Sequence, residues 1–67
     1  MNSYRADIYA GNRLVTVRHF QAADLSRASA TALSTVRAGG HTHADIYEGG
    51  PGHATHVDTV INNGGGR

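Results

Sequence analysis

Apolar and polar residues alternate with a period of two along residues 4–20 and again along residues 43–61, and between these stretches the period lengthens to that of a helix. In the first stretch, "YRADIYAGNRLVTVRHF", Gly11-Asn12 forms a two-residue loop of residue types that tolerate positive φ, so the pattern predicts a tight β-hairpin. A register closed by that loop sets Tyr9 opposite Leu14, Ile8 opposite Val15, Asp7 opposite Thr16 and Ala6 opposite Val17. One face then carries Ala6, Ile8, Val15 and Val17 and is the expected core. The other carries Arg5, Asp7, Tyr9, Leu14, Thr16 and Arg18.

The chain repeats itself. Residues 6–11 read "ADIYAG" and residues 44–49 read "ADIYEG", agreeing at five of six positions, and each copy is followed by a turn and a second β-rich run. The second copy predicts a related hairpin with a longer loop, "GGPG" at 49–52, which sets Glu48 opposite His53, Asp45 opposite His56 and His43 opposite Asp58. Its expected inward face is Ala44, Ile46, Thr55 and Val57; His41, His43, Asp45, Tyr47, His56 and Asp58 are expected outward.

Between the hairpins, "AADLSRASATALSTVRAGG" places Leu25, Ala28, Ala32, Leu33 and Val36 on one helical stripe, with Arg27, Thr31, Ser34 and Arg37 facing away. Asp24 suits the N-cap, Arg37 the negative helix end, and Gly39 the C′ position. The fold class expected is therefore α+β: β-β-α-β-β, two related hairpins in an antiparallel or mixed sheet with one helix packed on one face. One small domain is expected over residues 1–61, followed by a flexible glycine-rich tail, "NNGGGR", over residues 62–67.

Composition sharpens this picture in two ways. A chain of 67 residues without cysteine folds on a small core and has no disulfide to help it, so a bound metal or self-association becomes a natural source of extra stability. The formal net charge of +1 excludes a strong whole-molecule pull on nucleic acid or an anionic membrane. The positive charges are all arginine, a usage that GC-rich genomes such as those of actinobacteria and their phages tend to write. The first twenty residues hold no uninterrupted apolar run, so neither a signal peptide nor a membrane span is expected, and a cytoplasmic location is.

Three kinds of chemistry compete for the exposed residues. One helix covers one sheet face, so the uncovered face is expected to present Tyr9, Leu14, Tyr47 and Val60 as an apolar contact surface rimmed by charge. This points to a non-enzymatic binding or assembly module, a homodimer or higher oligomer or a protein docking on another protein. Alternatively, "HTHADIYEGGPGHATHVD" holds four of the five histidines, and His41, His43 and His56 with Asp58 are residue types that bind zinc or another transition metal. A third reading pairs Arg5 and Arg18 with Tyr9 on the outer face as a weak nucleic-acid contact. No nucleophile motif is present, and no enzyme is expected.

Overall fold

The computed structural model describes residues 1–49, 52 and 54–62. It contains β1 (Asn2–Ala10), β2 (Arg13–Ala22), α1 (Leu25–Ala38), β3 (His43–Glu48) and β4 (Thr55–Ile61), the β-β-α-β-β order that the pattern predicts. The four strands form one wholly antiparallel sheet in the order β2-β1-β3-β4, so the two repeat-bearing strands are central and the second strand of each hairpin is an edge. Among the described residues no helix is long and apolar enough to cross a membrane.

The repeat is built into the sheet. Strands β1 and β3 pair directly, with Ala6 opposite Ile46, Asp7 opposite Asp45 and Ile8 opposite Ala44. The two Ala-Asp-Ile-Tyr copies thus run antiparallel against each other, and an approximate two-fold axis normal to the sheet passes between Asp7 and Asp45. The symmetry extends to the irregularities: β2 slips against β1 between Ile8 and Tyr9, and β4 slips against β3 between Ile46 and Tyr47, at equivalent steps of the repeat.

These slips are β-bulges, in which two residues of one strand oppose one of its partner. In the first hairpin Tyr9 lies opposite Leu14 as expected, but Val15 is the extra residue, and beyond it Ile8 faces Thr16, Asp7 faces Val17 and Ala6 faces Arg18. A shift of one residue moves every later side chain to the other face. Val15 and Val17 are therefore exposed rather than core, at 47% and 39%, while Phe20 packs against the core and Ala22 is buried. In the second hairpin Glu48 faces Thr55, Tyr47 faces His56 and Ile46 faces Asp58, with Val57 as the extra residue. This differs from the expected register throughout: Glu48, expected opposite His53, faces Thr55, Asp45, expected opposite His56, faces Thr59, and His43, expected opposite Asp58, faces Ile61. His53 itself, with Gly50 and Pro51 of the loop, lies outside the described residues. The bulge lets both Val57 and Val60 pack against the core, which strict alternation forbids.

The core lies between α1 and the central strands. Tyr4, Ala6, Ile8, Ala44 and Ile46 meet Ala28, Ala32 and Val36, with Ala22 alongside; the largest fully buried side chains are Ile8, Ile46 and Val36. Five of these nine buried residues are alanine, so the layer between helix and sheet holds little side-chain volume. Leu33 is half-buried, whereas Leu25, expected on the same stripe, is 37% exposed in the first turn.

Asp24 caps α1, its side chain accepting from the Arg27 N–H at 2.9 Å. The other end corrects the expected cap by one residue. Gly39 is right-handed, at φ −90° and ψ −2°, and Gly40 carries the positive φ of 67°. The N–H of His41 donates to the Val36 carbonyl at 2.9 Å and that of Gly40 to the Arg37 carbonyl at 3.2 Å, the two bonds of a Schellman motif with Gly40 at C′. At Gly39 the space beside the Cα is taken by the outer ring atoms of the His41 imidazole. Gly40→Ala is expected to cost about 1 kcal/mol, the penalty for an L-residue in left-handed backbone, read as a lower urea midpoint with unchanged slope. An unchanged midpoint would place the helix stop elsewhere.

Beyond β4, Asn62 is tied back, its N–H donating to the Thr42 carbonyl at 2.9 Å and its side-chain amide to the His41 carbonyl at 3.0 Å. The expected tail from residue 63 onward lies outside the described residues.

Candidate functional site: the open face of the sheet

The face turned away from α1 carries Arg5, Asp7 and Tyr9 on β1, Leu14, Val17 and His19 on β2, His43, Asp45 and Tyr47 on β3, and His56, Thr59 and Ile61 on β4. Its centre is polar. Asp7 and Asp45 are directly opposite across the two-fold axis, an arrangement of like charges that destabilises a sheet unless each carboxylate finds its own partner.

Each does, by a different route. The Arg5 Nε–H donates to Asp7 Oδ1 at 2.9 Å, and the same guanidinium lies 4.3 Å from the centroid of the Tyr47 ring. On the other side, Thr59 Oγ1 donates to Asp45 Oδ1 at 2.8 Å and lies 2.9 Å from His56 Nε2. The hydroxyl has one proton and gives it to the carboxylate, so His56 must be the donor in the second bond and carries its proton on Nε2. That nitrogen is also 3.8 Å from Asp45 Oδ1, so protonation of His56 would complete an ion pair.

The repeat recurs in the aromatic contacts. The residue preceding each Ala-Asp-Ile-Tyr copy stacks on the tyrosine of the other copy: Arg5 on Tyr47, and His43 on Tyr9 with ring centroids 4.9 Å apart and planes 3° from parallel. Both tyrosines are consequently half-buried by their own chain. His56 meets Tyr47 edge-on at 5.4 Å.

Of the expected contact residues, Tyr9, Leu14 and Tyr47 share this face. Val60 does not: it lies opposite Ala44 and packs under α1, because the bulge at Val57 reverses the strand beyond it. Leu14, Val17 and Ile61 supply the exposed apolar surface instead, at 49%, 39% and 57% exposure.

The four expected metal ligands are dispersed. His41 lies in the α1–β3 connection against Gly39, His43 is stacked on Tyr9, His56 is bonded to Thr59, and Asp58 is on the helix side of the sheet, where its Oδ2 accepts from Ser29 Oγ at 2.6 Å. Among the described residues no three histidine or carboxylate side chains are grouped to hold an ion. Arg5 and Arg18, expected together on the outer face, are on opposite faces, since Arg18 lies opposite Ala6 and borders a shallow cleft with Phe20, Thr31 and Thr35. Arg5 is in addition committed to Asp7 and Tyr47.

The alternating register brings Asp45 and His56 together, as the structure does, but does not place Thr59 with them, because Thr59 reaches this face only through the bulge at Val57. A comparison of the chain with protein-family models, with curated proteins and with solved structures returned no match.

Proposed function

We propose that this chain is a non-enzymatic assembly module that associates with a second copy of itself through the part of the sheet that α1 leaves uncovered. The observation that carries this reading is the exposure of Leu14, Val17 and Ile61 on the two outer strands of a domain whose own core is largely alanine. Apolar surface placed outside so small a core stabilises an assembly more than it does the isolated chain.

The polar centre of the face is compatible with being covered. Arg5 already neutralises Asp7, and Asp45 already accepts from Thr59, so covering them leaves fewer unpaired groups than a bare carboxylate row would. Native mass measured over a dilution series tests the reading. A multiple of the chain mass at tens of micromolar, with a melting temperature that falls on dilution, is expected; a single chain with a concentration-independent melting temperature overturns it.

A further inference from the structure

We infer that two copies close into an eight-stranded antiparallel barrel, with the β4 edge of each copy pairing with the β2 edge of the other. The inference rests on the self-association proposed above and specifies its geometry.

Three observations support it. The first is strand direction: all neighbours in β2-β1-β3-β4 are antiparallel, so β2 and β4 run in opposite directions and a β4-to-β2 junction continues the alternation, with every helix on the same side.

The second is charge. Strand β2 carries Arg13, Arg18 and His19 and no carboxylate, whereas β4 carries His56 and Asp58 and no arginine. Among the described residues Arg5 pairs with Asp7, and His56 is the histidine beside Asp45, so Arg18 and Asp58 have no ionic partner among them. A β2–β2 or β4–β4 junction offers neither Arg18 nor Asp58 a permanent opposite charge, whereas β4 with β2 sets Asp58 against Arg18.

The third is register. Arg18 and Asp58 both lie on the helix side, opposite Ala6 and Ile46 respectively. An antiparallel junction that sets Asp58 of one copy opposite Arg18 of the other also sets Thr59 opposite Val17 and Val60 opposite Thr16, so each pair shares a face. This block falls between the bulges at Val15 and Val57, which would otherwise blunt the two edges.

Two copies making both junctions leave no free edge, and eight strands enclose an interior just wide enough to be filled by side chains. The open faces turn inward, carrying Tyr9, Leu14, Val17, Tyr47 and Ile61 together with the Arg5–Asp7 pair, the Asp45–Thr59–His56 network, His19 and His43, and the helices remain outside.

The test is a charge reversal at each edge, read by native mass spectrometry of the full chain. Arg18→Asp alone and Asp58→Arg alone are each expected to weaken dimerisation about a hundredfold or more, because each sets like charges in both junctions. Mixed together, they are expected to form a heterodimer, since the reversed β2 of one then meets the reversed β4 of the other while the two unaltered strands also pair. Heterodimer formation also shows that both variants fold. Val17→Lys, which leaves Asp58 and its bond to Ser29 untouched, is a second variant expected to give a single chain.

A dimer that survives either reversal, a mixture without heterodimer, or an open series of masses beyond two copies overturns the barrel while leaving self-association standing. A wild-type chain that is single at every concentration overturns both.

Discussion

Ile46→Ala should cost about 3–4 kcal/mol and bring the dilute chain to the edge of unfolding at 25 °C. Removal of a buried isoleucine side chain typically costs about 2–5 kcal/mol, and the value depends on how far the surroundings can collapse into the space. Around Ile46 they have little to collapse with. Its neighbours in the core include Ala6, Ala28, Ala32 and Ala44, whose methyl groups are fixed to backbone and have no rotamers to reach into a void. A loss of that size is a large share of the stability a domain of 67 residues commands, about 3–10 kcal/mol at the usual scale per residue. Urea denaturation of wild type and variant in dilute protein gives the difference directly. Val17→Ala is the companion measurement. Strict alternation from the Gly11-Asn12 loop makes Val17 a core residue, whereas the bulge exposes it at 39%, so a cost below about 0.5 kcal/mol is expected. If Val17→Ala costs as much as Ile46→Ala, the bulge is misplaced and the core lies on the other face of β2.

The contrast between those two positions shows what an alternating pattern conveys and where it stops. Element types and order, the Gly11-Asn12 turn, the Asp24 cap and the core role of Ile8, Ile46, Ala28, Ala32 and Val36 follow from local chemistry and periodicity, and these agree with the structure. A bulge has no such local signature here, because Leu14, Val15, Thr16 and Val17 are all comfortable in a strand and no glycine marks the extra residue. The signal lies in what an unbroken register would have to accept. It would put Arg18 opposite Arg5 and Phe20 opposite Ser3, whereas the slip puts Phe20 opposite Tyr4, with rings 6.0 Å apart, and separates the arginines onto two faces. In the second hairpin the corresponding clue is Val57 and Val60, three residues apart and both apolar, which an even strand cannot turn to one side. The candidate site inherits the same limit. Tyr9, Leu14 and Tyr47 precede the slips and are placed as the pattern predicts, whereas Val60, Asp58 and Arg18 follow them and change face.

Arg5→Ala should cost about 1–3 kcal/mol, more than an arginine on a strand face ordinarily does. An exposed ion pair contributes little because water solvates both charges well, but here the Asp7 side chain is only 14% exposed and that of Arg5 34%. Truncation removes three things at once: the Nε–H bond to Asp7, the cation over Tyr47, and the positive charge that separates Asp7 from Asp45 in its effect on the field. The last is the distinctive part, since the two-fold repeat places these carboxylates opposite each other and the Thr59 hydroxyl supplies only Asp45. Three variants separate the contributions. Arg5→Lys keeps the charge and loses the flat stacking surface, and should fall between wild type and alanine. Asp7→Asn in the Arg5→Ala background removes the like-charge contact, and should recover about 1 kcal/mol of the loss, so that the double-mutant cycle shows coupling between the two side chains. If Arg5→Ala costs the same with asparagine at position 7 as with aspartate, Arg5 acts through Tyr47 alone. In that case the Asp7–Asp45 pair is neutralised by solvent, and the face is less ready to be covered than the pairing of its charges implies.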